Sequence, residues 1–302
     1  MTDDVLLLTA TDGATSVTAE IDLACGGRVR QVTIERGGES VDLLAASGDV
    51  GQATATSWGS FPMAPWAGRL RHGRFEFEGR TISIDLNHED GTTTGGGRVD
   101  PPVPALDRSP DPGSSAWRQH AIHGTTFQRP WSVADVGDDR CALHCPIDQV
   151  GGWPFPGTAR QSIRLRPDGM EFTLSVEAAA DTSFPAAIGW HPWFVKPETL
   201  DVSPTAMYVL DEIGLPTGEL RDPTPGPWDD CFRNSAPVRL VYRREIAPVV
   251  TVTSDCDHLV VYDRPEHATC VEPQSGPPDA PNVDPNVVFT GSPLMRTMGW
   301  SW

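Results

Sequence analysis

The sequence predicts an all-β fold, a large antiparallel β-sandwich, on three observations. Wherever the chain is periodic, apolar residues recur at every second position, and no long stretch carries the 3.6-residue period of a helix. Glycine and proline, 29 of each, make up about 19% of the 302 residues against a usual share of roughly 12%. That density leaves little room for long helices and suits many short strands joined by turns.

The elements follow in chain order. Residues 29–34 alternate as a first strand. Phe75 and Phe77, the turn-like Glu78-Gly79-Arg80, then Ile82, Ile84 and Leu86 read as a hairpin with one buried face. Residues 90–117 break the pattern with Thr92-Thr93-Thr94-Gly95-Gly96-Gly97 and five prolines, too few apolar groups to pack alone. This segment reads either as a mobile surface loop or as a lid over a site. Residues 131–136 and 141–147 are the next strands. The clearest hairpin runs through Ile163 and Leu165, turns at Pro167-Asp168-Gly169, and returns through Met170, Phe172, Leu174 and Val176 with polar residues between them. Further strands are expected at 207–210, 238–242, 249–252 and 259–262. No internal repeat and no composition shift divides the chain, so a single domain over 1–302 is expected.

Composition excludes several function classes. With 23 basic and 41 acidic side chains the net charge is −18, and Lys196 is the only lysine. Nucleic-acid binding needs clustered cations, and an anionic membrane surface would repel such a chain. No apolar run approaches the roughly 20 residues of a bilayer-spanning helix. The start, Met1-Thr2-Asp3-Asp4, is acidic where a signal peptide would be basic, so the cytoplasm is the expected location. The six cysteines, Cys25, Cys141, Cys145, Cys231, Cys256 and Cys270, form no paired C-x-x-C framework and read as reduced thiols.

Titratable residues cluster among aromatics, glycines and prolines, at places where a sandwich is expected to have loops or strand ends. The clusters are Phe61-Pro62-Met63-Ala64-Pro65-Trp66-Ala67-Gly68-Arg69, His120-Ala121-Ile122-His123-Gly124, Gly189-Trp190-His191-Pro192-Trp193-Phe194, Trp228-Asp229-Asp230-Cys231-Phe232, and Cys270-Val271-Glu272-Pro273-Gln274. Singly, each has an ordinary structural explanation: a satisfied core histidine, a buried ion-pair partner, a turn aspartate.

In order, they resemble the aldose 1-epimerase (galactose mutarotase) family. The landmarks are Pro65–Arg69 followed by Gly73-Arg74-Phe75, His123-Gly124, His191–Phe194, Asp229–Phe232, and the Glu-Pro-Gln…Pro-Asp-Ala…Asn run from Glu272 to Asn282. Gly68 stands where the family often has Asn. The resemblance implies a large antiparallel β-sandwich with a sugar across one concave face. It also implies Glu272 as general base at the C1 hydroxyl, His191 as general acid at the ring oxygen, and His123 as a second histidine assisting it. Arg69 and Asp229 would hold sugar oxygens, with Asp230 as the alternative to Asp229. Gln274, Trp66 and Trp190 are further candidates beside the substrate, Trp66 as a stacking face, and Trp190 and Trp193 as water-excluding neighbours of His191.

Anomer interconversion needs two proton transfers and no net redox change, so a carboxylate and an imidazolium suffice and no cofactor is expected. No metal is expected either from His120, His123 and His191: the H-x-x-H spacing places His120 and His123 on opposite faces of a strand, and the carboxylates nearby lack a recognised ligand spacing. A free hexose is the expected substrate. The alternatives are a hexose 6-phosphate, for which Arg71 and Arg74 lie close in sequence to Arg69, or a non-catalytic sugar-binding protein on the same sandwich. Oligomeric state is not legible.

Overall fold

Alternation becomes packing most plainly in the Gly157–Arg166 and Gly169–Ala178 strands, which pair antiparallel from Gly157 opposite Ala178 to Arg166 opposite Gly169. Ala159, Ile163, Leu165, Met170, Phe172, Leu174 and Val176 are all buried, while Arg160, Arg164, Arg166 and Glu171 face water. The structure, a computed structural model, describes residues 4–46, 55–89, 98–103, 110, 114, 118–147, 150–234 and 236–302.

Two antiparallel sheets face each other. One, of eight strands, runs in the order Ser132–Val136, Arg140–Pro146, Gly157–Arg166, Gly169–Ala178, Leu294–Ser301, Val249–Ser254, Val238–Val241 and Thr199–Asp201. The other, of eleven, has at its centre Arg28–Arg36, Ser60–Met63, Gly189–Val195, Ala268–Gln274, His258–Tyr262 and Asp229–Arg233. Between them lies the main core, with Val176, Phe172, Trp190, Phe194, Phe232, Val261, Val271 and Trp300 among its members. Trp300 packs on Phe172 and Phe194, and Trp302 donates its indole N–H to the Pro167 carbonyl, so the C-terminal tryptophans belong to the sandwich.

The strands expected from alternation are present within a residue or two at their ends, and the 74–86 hairpin pairs Arg74–Phe77 with Arg80–Ser83. Two expectations change. Residues Arg98–Val103, inside the segment read as a loop, form a strand paired with Leu86–Glu89. Most of the rest of that segment lies outside the described residues. More consequential, Ser60–Met63, Gly189–Val195 and Ala268–Gln274 are not loops or strand ends but the middle of the large sheet, and nearly every residue in them is buried. Strands covered on both faces lose the polar half of their alternation, and each of these carries a proline, which ordinarily argues against a central strand.

The ladder accommodates those prolines. Gly189 pairs with Gln274 and Trp193 with Cys270, but the three positions between them form no paired bridge, and Pro192 and Pro273 fall in that gap. His191 and Glu272 sit opposite each other within it.

Candidate active site

The large sheet has a second buried face. Across Gly189–Val195, Ala268–Gln274, His258–Tyr262 and Asp229–Arg233 the register places Trp193, Cys270, Tyr262 and Asp229 in one row, and His191, Glu272, Val260 and Cys231 in the next. Side chains in register share a face. This face is turned away from the main core and has its own apolar cluster of Phe61, Met63, Phe127, Trp193 and Cys270 with small neighbours. Glu272 and His191 are thereby presented together on one buried face of the sheet.

His191 Nε2 lies 3.3 Å from Glu272 Oε1, both side chains being almost fully buried. The imidazole is sandwiched, with Phe61 stacked at 4.9 Å and Trp193 at 5.4 Å between ring centroids. His123 meets it edge-on at 5.0 Å. Gln274 donates its amide N–H to Glu272 Oε2 at 3.1 Å, leaving Oε1 for His191.

His123 reaches this face from a tight crossing. It takes a left-handed conformation (φ 58°), as does Gly124 (φ 79°), and a Cβ at Gly124 would lie 1.9 Å from the Ala64 carbonyl oxygen. Only glycine permits that approach, which accounts for the His-Gly pair. Thr125 N–H and Thr126 Oγ1 both donate to the Ala64 carbonyl, at 2.9 and 3.2 Å, and lock the crossing.

Arg69 extends from the short Arg69–Leu70 strand, which pairs with Gln119–Ile122, and comes within 4.0 Å of Asp229 Oδ1 on the large sheet. Arg264 approaches the other oxygen of Asp229 at 3.9 Å. Asp229 shares the face of Glu272, whereas Asp230, one residue on, points to the opposite side of the sheet.

Burial dominates the electrostatics. His191 is pushed down to about 3, chiefly by desolvation, with the Arg28 charge adding to it. Burial also holds His123 well below the usual histidine range, and it raises Glu272 well above the carboxylate range with Asp229 assisting. Both shifts of the pair favour the same tautomer: a protonated Glu272 hydrogen-bonded to a neutral His191.

Two sequence expectations are corrected. Trp190 is fully buried on the core side, packed on Phe172 and donating to Gln161 Oε1 at 3.0 Å, because it is one residue out of phase with His191. Trp66 stacks on Trp153 at 5.4 Å in the main core and offers no face to a ligand. Phe61 and Trp193 stack on His191; sequence reasoning named Trp193 as its neighbour but gave no role to Phe61, nor to Cys270 two positions before Glu272. The signal for Cys270 was its period-two spacing, readable only once 268–274 is known to be a strand.

Arg71 and Arg74, close to Arg69 in sequence, are engaged elsewhere. Arg71 is bound by Asp211 at 2.7 Å and Asp279 at 3.3 Å, and Arg74 donates to Ser83 Oγ. Asp279 also accepts from the Arg71 backbone and donates its own N–H to the Arg69 carbonyl, and Asn282 bonds Asp279 and the Arg74 carbonyl. The distal part of the Glu272–Asn282 run thus braces the segment carrying Arg69. Nor do His120, His123 and His191 form a metal triad: His120 stacks on His72 while His123 turns to His191. The metal-capable group found among the described residues is instead His191, Cys270 and Glu272, whose ligand atoms lie within 4.8 Å of one another.

Residues 111–288 match the family described as aldose 1-epimerase, a stretch that holds His123, His191, Asp229 and Glu272. The chain is 24% identical over 185 residues to the uncharacterized Escherichia coli K12 protein YphB, 61% of this chain and about half (53%) of that relative's length. Among solved structures it resembles a galactose mutarotase-like protein from Clostridium acetobutylicum, with TM-score 0.69, 15% identity and 98% of each chain covered. A galactose 1-epimerase from Lactobacillus acidophilus matches with TM-score 0.65 and 15% identity over 99% of this chain and 94% of its own. At such identities the structural likeness speaks to fold.

Proposed function

The chain belongs to the aldose 1-epimerase family, and from that premise we propose that it interconverts the α and β anomers of a free hexose by acid/base ring opening and reclosure. The observation that carries this reading is the buried contact of His191 Nε2 with Glu272 Oε1 at 3.3 Å. The C1 hydroxyl and ring oxygen of a pyranose are both bonded to C1, so an acid and a base this close can address them together.

The proton accounting closes on the pair itself. In its reacting form Glu272 is a carboxylate and His191 an imidazolium. Glu272 takes the proton of the C1 hydroxyl while His191 protonates the ring oxygen and the C1–O5 bond breaks. The pair is left as carboxylic acid and neutral imidazole, the tautomer that burial favours. Rotation about C1–C2 and reversal of both transfers close the ring on the other face and restore the starting form. One proton circulates, so neither hydride nor electron acceptor is required. Arg69 and Asp229 grip sugar hydroxyls, and His123, edge-on to His191, steadies the acid.

The free-hexose reading is favoured over the 6-phosphate because Arg71 is committed to Asp211 and Asp279. A purely binding role is disfavoured because recognition alone does not call for a buried acid/base pair. The six cysteines are free thiols, five of them buried, which suits a reducing cytoplasm. No helix of the described residues is long and apolar enough to cross a membrane.

The test is polarimetry of freshly dissolved α-D-glucose and α-D-galactose with and without protein, repeated with glucose 6-phosphate in an anomer-specific coupled assay. Faster mutarotation of a free sugar is expected. Acceleration confined to the phosphate would favour the alternative substrate, and measurable binding without acceleration of any of them would refute the enzyme reading.

A further inference from the structure

Cys270 has no part in the proton transfers, yet its thiol lies on the same strand face as Glu272 and beside the acid/base pair. Its Sγ, a ring nitrogen of His191 and a Glu272 carboxylate oxygen lie within 4.8 Å of one another on a buried strand. These are a soft, a borderline and a hard donor, the combination that zinc-type cations take. Zinc bonds of about 2.0–2.3 Å place tetrahedral ligand atoms roughly 3.3–3.8 Å apart. The His191–Glu272 separation of 3.3 Å already has that value. Closing the sulfur side requires a movement on the order of 1 Å, within the range of side-chain rotation at three unbranched residues. Three protein ligands leave a fourth coordination position for water.

We propose that His191, Cys270 and Glu272 form a binding site for a thiophilic divalent cation of the Zn²⁺ class, which, when bound, occupies the acid/base pair and excludes the sugar. The cation takes the lone pair of His191 Nε2 and a Glu272 oxygen, and Cys270 binds as thiolate after releasing its proton to solvent. No electron transfer is involved. The ion acts as an inhibitor, not as a cofactor. The inhibitory consequence rests on the epimerase reading; the binding site does not.

Co²⁺ serves as the spectroscopic probe on the full-length protein freed of metal by chelator. A thiolate-to-cobalt charge-transfer band that saturates at one cation per chain and is displaced by Zn²⁺ is expected. It should vanish in Cys270→Ser and persist in Cys231→Ser. His191→Asn, which leaves the thiol in place, should weaken Co²⁺ binding at least about 10-fold, and circular dichroism establishes that each variant is folded. No saturable band in the parent, or an unchanged band in folded Cys270→Ser, would overturn the site. In mutarotation assays Zn²⁺ should inhibit reversibly, and Cys270→Ser should need at least about 10-fold more of it; equal sensitivity of parent and variant would overturn the inhibitory role. A parent without mutarotase activity would fail the epimerase reading while the cobalt titration still decides the site.

Discussion

His191 and Glu272 face each other across a gap in the ladder between two neighbouring strands, 3.3 Å apart and almost wholly buried. Strand registration, not loop conformation, therefore sets the acid-to-base distance. Removing either group should abolish chemistry more than recognition. Glu272→Gln is expected to lower kcat at least about 100-fold with sugar affinity largely kept, and His191→Asn to do likewise. Turnover near that of the parent in Glu272→Gln would remove the carboxylate from its role; full activity of His191→Asn would pass the acid role to His123.

Because the pair holds one proton between its members, activity should be lost only when a second is added or the first removed. Burial keeps the second proton off His191 down to about pH 3 and holds the first on the pair above the normal carboxylate range. The profile of kcat/KM is thus expected to show no inflection near 6.5, the ordinary histidine value. An acid limb at that pH would show that His191 titrates as a solvated imidazole.

Asp229 and Asp230 differ by one step along a strand, hence by a whole face of the sheet. Asp229→Ala should raise KM about 10-fold, the scale of one charged hydrogen bond to a sugar hydroxyl. Asp230→Ala should leave KM unchanged. The reverse pattern would mean that the sugar lies on another face.

Trp190 is a packing residue despite its place beside the acid. Trp190→Phe keeps most of the buried ring but leaves Gln161 Oε1 without its indole donor. A stability loss of about 1–3 kcal/mol is expected in denaturant unfolding, with KM unaltered. A selective rise in KM at constant stability would return Trp190 to the substrate.

Acid lability has an identifiable source in His120, pushed down to about 2 by burial and by nearby Arg69, His72, His88 and Arg71. Its folded value lies below the unfolded one, so between about 2 and 6.5 the unfolded chain binds the extra proton and acidification destabilises the fold. In going from pH 7.5 to 5.5 this site should cost about 1.4 kcal/mol. His120→Gln should show a correspondingly smaller pH dependence of unfolding free energy; identical slopes would count against a neutral buried imidazole there.

The all-β class, the two hairpins and the outer strands follow from local pattern, because one-sided strands must alternate. His191, Glu272, His123, Arg69 and Asp229 were named as candidates through the family resemblance, and the structure brings His191, Glu272 and His123 into contact and sets Asp229 beside Arg69. What local pattern could not supply was phase. The strands carrying His191 and Glu272 are buried on both faces, so polarity no longer distinguishes one side from the other, and Pro192 and Pro273 disguise them as loops. Only the tertiary register places Trp193 with His191 and Trp190 in the core, separates Asp229 from Asp230, commits Arg71 to Asp211 and Asp279, and sets the Cys270 thiol beside the acid/base pair. A side chain's face depends on which strands flank its own and at what offset, and those pairings join residues as far apart in sequence as Phe61, His191 and Glu272.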